Sequence, residues 1–342
     1  MSFETTKYEI DILNVKDADS ILIRCYNENL EYIILIDAGN VSDYEKIKNH
    51  LKNVYKNTYI DLAICTHPDK DHIGGFFGLL DDDEITIKDF WLIDPANYLT
   101  KDDIHHYRNE ANAKKAVRKL FNKPNDSNKN LISILLSKEE IETYTVSQGY
   151  SHPEIPIKVV APSSEYYQEL VKIMVEDFGL KTYEDSDTSD YDENALPDES
   201  DVKSVIDVDD DKSPYNASSL VLLFEPGDGN KFLFTGDSNC ASLTNMIETF
   251  NDEVRNVTML KVPHHGSKHN LTTEIIEHLS PRISIISAKG TKKHPNSGIV
   301  YWLSKSGNVY STHKSSGGLH YYNNIEPRKG SKTAIPLKKK NE

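Results

Sequence analysis

Cysteine is scarce in this chain and positive charge is outnumbered. Cys25, Cys65 and Cys240 are the only three cysteines in 342 residues. Their wide spacing and odd number exclude a disulfide framework or a zinc knuckle, which leaves each as a small core residue. No apolar run reaches the ~18 residues of a membrane-spanning helix. The N-terminus MSFETTKYEI has neither the basic start nor the apolar stretch of a secretion signal. A cytoplasmic protein with no membrane partner is therefore expected. Lys and Arg number 39 against 54 Asp and Glu, a formal charge of −15. Taken alone, that balance argues against nucleic acid, but the deficit is local. Residues 184–211 hold thirteen acidic side chains and one lysine, which leaves −3 for the rest of the chain. From Lys261 to His294 there are six Lys or Arg against Glu274 and Glu277. Net charge is thus a poor guide to what a local site binds.

What is present is a regular succession of apolar runs. Three alternate or near-continuous β patterns open the chain, at 8–13, 20–25 and 32–37. Tyr44, Ile47, Leu51 and Val54 then recur at helical spacing, and a strand is expected at 60–65. Gly74-Gly75 is read as the entry to a helix over 76–80. Residues 97–145 have a largely helical composition, including a capping-box pattern at Ser137 and Glu140, and are expected to form a helical insertion or cap. A strand at 155–161 and a helix at 164–178 lead into the acidic stretch, which is too charged to bury a core and is expected to be a flexible insertion over 183–213. A hairpin follows (218–224 and 231–237), then helix 241–250, strand 257–262, helix 272–279, strand 283–287, the end of a helix at 301–304 and a final strand at 309–312. Hairpins followed by alternating helices and strands, twice over, predict two sheets back to back with helices outside, within one domain over 1–330 and a basic polar tail at 331–342.

The chemistry concentrates where apolar runs end. Leu62-Ala63-Ile64-Cys65 is followed by Thr66-His67-Pro68-Asp69-Lys70-Asp71-His72-Ile73-Gly74-Gly75. Two histidines and two aspartates in six positions are hard to explain as solvation. Imidazole nitrogen and carboxylate oxygen suit Zn²⁺, Mn²⁺ or Fe²⁺, ions that make a nucleophile of water at neutral pH. Asp237 ends a second run and His264-His265 a third, so the three clusters are candidates to converge on one edge.

The runs THPDKDHIGG, FLFTGD and LKVPHHGS together resemble the metallo-β-lactamase superfamily, and within it the ComEC-type branch, the soluble hydrolase domain joined to a competence DNA-uptake channel. The likeness extends to DILNVKDADSILI, IILIDAGN, KKHPN and VYSTHKSSGG. It implies a four-layer αββα α/β sandwich and two divalent metal ions, Zn or Mn, with Fe also compatible. It implies further that His67 and Asp69 bind the first ion, that Asp71, His72 and His265 bind the second, and that Asp237 bridges both, with His264 a close alternative to His265. Two departures matter. Asp69 stands where the superfamily usually has histidine, and this harder ligand favours Mn²⁺ or Fe²⁺ without excluding Zn²⁺. The segment Tyr215–Ser219 carries no histidine where the superfamily often supplies one, so Asn216 or Ser218 becomes a candidate contact to metal or substrate.

The resemblance implies hydrolysis by a metal-bound hydroxide, with Asp71 to orient and accept a proton and His264, His269 or His294 to protonate the leaving oxygen. Fold alone does not choose the substrate. Lys268, His269, Lys292 and Lys293 lie in loops that should open on the metal edge, where lysines could hold phosphate. A phosphodiesterase or nuclease acting on DNA or RNA is expected. The alternatives are a hydrolase of small phosphodiesters, esters or lactones, and a catalytically silent binding module. The acidic segment 184–211 is a candidate gate over the basic face or a contact for a protein partner.

Overall fold

The computed structural model describes residues 7–26, 30–101, 104, 108–121, 130–177, 206–288, 290, 294–313, 319–326, 328–329 and 334–337. Apolar residues at consecutive strand positions point alternately to two dry faces, and that alternation builds the fold. The first three strands, β1 (Lys7–Leu13), β2 (Ser20–Tyr26) and β3 (Glu31–Ala38), form an antiparallel meander in which Ile10 pairs with Ile23 and Ile23 with Ile34. β3 continues in parallel to β4 (Tyr59–Ile64), β5 (Thr86–Leu92) and β6 (Glu142–Thr145). A late strand, here β13 (Leu319–Asn323), pairs antiparallel with β1 and completes a seven-stranded sheet.

The second sheet has six strands. β7 (Ile157–Ala161), β8 (Val221–Phe224) and β9 (Phe232–Phe234) are antiparallel, and β9 runs parallel to β10 (Met259–Lys261), β11 (Ile283–Ile286) and β12 (Asn308–Ser311). Between the sheets, Ile34, Ile36 and Leu62 from one side meet Leu222, Phe224 and Phe234 from the other. The opposite face of the first sheet, including Ile33 and Leu35, packs under α1 (Tyr44–His50), α2 (Lys70–Asp81) and the short α4 (Leu131–Leu135), α3 being Glu110–Arg118. The outer face of the second, with Val221, Leu223 and Leu260, packs under α7 (Cys240–Phe250), α8 (Thr273–Leu279) and α9 (Ser297–Ser306). Between β7 and β8 the chain forms α5 (Ser164–Asp177) and the single-turn α6 (Pro214–Ala217). This is the expected αββα sandwich. Among the described residues, no helix is long and apolar enough to cross a membrane.

Several expectations change. α2 begins at Lys70, so Asp71, His72 and both glycines lie inside the helix rather than before it. The glycines allow close approach: a Cβ on Gly74 would lie 2.4 Å from the Val41 nitrogen, and one on Gly75 2.1 Å from the Ala38 oxygen. Residues 97–145 are not purely a helical addition, because their end supplies β6 to the first sheet. The pattern at Ser137 and Glu140 starts no helix; the Ser137 hydroxyl donates to the Ile134 carbonyl and the chain goes on to β6. β5 and β13 were not expected. Of the acidic insertion, 178–205 lie outside the described residues, whereas 206–213 are anchored. The Asp207 and Asp210 carboxylates accept from the first backbone amides of α8 and α7, Thr273 for one and Cys240 with Ala241 for the other. Carboxylates at helix N-termini are favoured by the exposed amides and the helix dipole.

Candidate metal centre

Each cluster found in the sequence sits at the C-terminal end of a strand. β4 delivers Thr66, His67 and the first turn of α2; β9 delivers Asp237; β10 delivers His264 and His265; β3 carries Asp37 as its last residue but one. These strand ends lie on the same rim, where the two sheets meet. His67, His72, Asp237 and His265 are all buried. Asp71, His72, Asp237 and His265 bring one donor atom each within 4.8 Å of one another. His72 Nε2 stands 3.4 Å from Asp237 Oδ1 and 3.7 Å from Asp71 Oδ2, and His265 Nε2 stands 3.2 Å from Asp71 Oδ2. His67 adjoins the group, its Nε2 3.9 Å from Asp237 Oδ2 and its ring 4.1 Å from that of His72. Asp69 is the N-cap of α2; its side chain does not cap the helix, and its negative charge acts on His67.

The surroundings turn the donor atoms inward. His72 Nδ1 donates to Asp37 Oδ2 at 2.7 Å and His265 Nδ1 donates to the Ser287 carbonyl at 2.7 Å. Thr66 gives its hydroxyl hydrogen to Asp37, so its oxygen can only accept at His67 Nδ1, 3.1 Å away. All three histidines thus direct Nε2 at the centre, the arrangement in which outer partners set a metal ligand's tautomer. Ser219 Oγ lies 3.1 Å from His67 Nδ1 and accepts from the Asp237 amide, tying ligands of the two sheets together. His67 Nε2, His72 Nε2 and Asp237 Oδ1 are buried with no hydrogen-bond partner. Buried polar atoms without partners are rare, and three converging here fit the demand of a cation. The donor set therefore suits a divalent ion.

Charge follows from this packing. Burial opposes a charge on His72, but Asp237, Asp37 and Asp71 outweigh it and hold the imidazole well above the usual histidine range. Burial is likewise overcome at His265 by Asp71 and Asp237, which raise it. At His67 burial prevails, helped by the His72 charge, and the ring is pushed down. Burial also works against the ionised forms of Asp71 and Asp237, yet the neighbouring histidines hold both below the ordinary carboxylate range. His264 and His265 share left-handed backbone angles, φ 45° and 54°. Residues in sparsely populated backbone regions cost about 1–3 kcal/mol each and concentrate at functional sites.

The other sequence candidates divide. His264 is not one of the four donors: its Nδ1 lies 3.0 Å from Asp211 Oδ2 and 3.2 Å from Asn270 Oδ1. Asn216 joins that network through Asp211 Oδ2 at 2.8 Å. His294 lies near both histidines, its ring tilted to His264 at 5.6 Å and edge-on to His265 at 6.3 Å between centroids. Ser218 is not brought in, because its hydroxyl donates to the Tyr215 carbonyl. His269 faces the Asp209 carbonyl at 2.7 Å, on the anchored end of the acidic segment. Lys268 is half-buried, and Lys292 and Lys293 lie outside the described residues. Asp37, Ser219, Asp211 and Asn270 were not recognised as site residues. Asp37 left a signal, an acidic residue between an apolar run and Ala38-Gly39; Asp211 is hidden at the end of an acidic run, and Ser219 and Asn270 are single polar residues.

A two-sheet sandwich with a histidine–aspartate cluster at its rim is the class of protein these features define. No family model matches the chain. Over 97 residues it is 35% identical to ComE operon protein 3 of Bacillus subtilis (strain 168), a match that spans 28% of this chain and 12% of that protein. Among solved structures, the chain is similar to the metallo-β-lactamase-fold protein YhfI from Bacillus subtilis, with 10% identity, a TM-score of 0.43 and coverage of 93% of this chain and 99% of that one. A diphosphatase from the PhnP family aligns with 10% identity, TM-score 0.43 and coverage of 93% and 98%. The metallo hydrolase Igni18 from Ignicoccus hospitalis KIN4/I aligns with 11% identity, TM-score 0.43 and coverage of 93% and 99%.

Proposed function

We propose that this chain is a metal-dependent hydrolase that cleaves phosphodiester bonds, with DNA or RNA as substrate. The observation that carries the hydrolase reading is the convergence of His67, Asp71, His72, Asp237 and His265, three of them with buried donor atoms that lack a partner. Those residues with Asp69 would hold two divalent ions, Zn²⁺ or Mn²⁺, which supply Lewis acidity and an activated water. Asp71, on the first turn of α2 and facing His265, accepts a proton and orients the attacking group. His264, bonded to Asp211 and Asn270, and His294 beside it would be the acids that protonate a leaving oxygen. Nucleic acid as substrate is supported by Lys268 and the lysine-rich sequence from Lys289 to Lys293, and by the likeness to the ComEC-type branch.

Metal analysis of purified protein, paired with cleavage of plasmid and single-stranded DNA or RNA, tests this reading. Metal-dependent cleavage that falls at least ~10²-fold in Asp71→Asn is the expected result. Turnover restricted to bis-p-nitrophenyl phosphate and small esters would move the substrate to small molecules. A protein that binds no divalent ion would remove the hydrolase.

A further inference from the structure

Behind the donor group lies a lysine with no access to water. Lys261, at the end of β10, is fully buried and its Nζ sits 2.6 Å from Asp19 Oδ2 and 3.0 Å from the Val262 carbonyl. Asp19 belongs to the other sheet, just before β2, and is equally buried; its second oxygen, Oδ1, has no hydrogen-bond partner. Asp19, Asp37 and His72 form a second group whose donor atoms all lie within 4.8 Å of one another. Two carboxylates and an imidazole, buried and shared with the proposed metal centre through His72, meet the chemical requirements of a cation site.

A metal there would work against the centre on the other side of the ring. It would draw on Asp37, whose carboxylate holds Nδ1 of His72 and so directs Nε2 at Asp71 and Asp237. A covalently attached ammonium avoids that competition. It neutralises Asp19, which buried alone would be costly, and as a compact point charge with no acceptor it takes no nitrogen ligand.

We propose that Lys261 is a resident cation standing in for a metal on Asp19. It keeps the Asp19–Asp37–His72 group closed to a further ion and confines divalent metal to the Asp71–His72–Asp237–His265 group with His67. This rests on the hydrolase reading above, because it presumes that the latter group binds metal.

The test is equilibrium uptake of Mn²⁺ by the chelator-stripped full chain, repeated with Zn²⁺, in the parent, Lys261→Met and the double variant Lys261→Met/Asp19→Asn. Lys261→Met should bind about one further equivalent of metal, and the double variant should return to the parent stoichiometry. If Lys261→Met unfolds when stripped, the same expectation is that Mn²⁺ restores folding, read by circular dichroism. A folded Lys261→Met holding no more metal than the parent overturns the inference, and so does one left unfolded at saturating Mn²⁺. A parent that binds neither ion removes the functional reading itself, a result distinct from unchanged stoichiometry.

Discussion

The carboxylates around His72 and His265 favour their protonated forms, and a metal must compete with those protons. Both are held above the usual histidine range by the carboxylates around them, despite burial. A ligating imidazole must be neutral, so metal uptake must expel these protons and metal affinity must rise with pH through the neutral range. Calorimetric titration with Mn²⁺ or Zn²⁺ in buffers of different ionisation enthalpy should show release of up to about two protons. A binding enthalpy independent of buffer would contradict the assigned ligands. At this scale the sequence was legible where ligands crowd together: four donor residues in six positions, and a histidine pair before a glycine. It was silent on Lys261 and Asp19, because a lone lysine in an apolar run looks like a solvated strand end and only the tertiary fold supplies its partner. Only the family resemblance ranked His265 ahead of His264; in the structure two successive left-handed residues turn one ring to the donor group and hold the other at Asp211.

Among the elements, α2 and the anchored stretch 206–213 set the precision of the site. α2 carries Asp71 and His72 and can approach the end of β3 only because Gly75 has no side chain. Gly75→Ala should destabilise the protein by about 1–3 kcal/mol, the usual cost of overpacking a tight contact. Urea denaturation would measure it, and a variant of unchanged stability would mean that α2 is free to shift. The stretch 206–213 should respond to acid. Burial disfavours the Asp211 carboxylate, but His264 and Asn216 bring it down to about 2 from 3.8. A lowered carboxylate stabilises the fold fully above its unfolded value and loses that contribution as pH falls through the folded one. Hydrogen exchange at the first amides of α7 and α8 should therefore speed up relative to the core as pH drops from about 4 toward 2. Uniform protection over that window would refute the anchor. These elements were harder to read than the ligands. Helix-like acidic residues precede the short, polar edge strand β6, and a run of aspartates signals solvation until helix ends are found to use it.

At the scale of the whole molecule, the proposed centre straddles the seam of the sandwich. His67, Asp71 and His72 come from the first sheet, and Asp237 and His265 from the second. An ion bound there joins the two halves and favours the folded state by mass action, by about 2.7 kcal/mol at a hundredfold excess over Kd. Chelator should lower the melting temperature and Mn²⁺ or Zn²⁺ should restore it, as scanning calorimetry would show; an indifferent melting temperature would argue against a centre that spans the seam. The four-layer order was legible from the alternation of apolar runs, because each strand had to satisfy two dry faces.

The pairing of β13 with β1 has a consequence for vectorial synthesis. Glu9 lies opposite Asn323, and the Tyr8 amide donates to the Asn324 side chain. The ribosome therefore makes every proposed ligand before the strand that covers the edge of β1. Until residue 323 has emerged, β1 presents a bare hydrogen-bonding edge, the kind that recruits foreign strands. The nascent chain is thus most exposed to mispairing while its chemistry is already fully written.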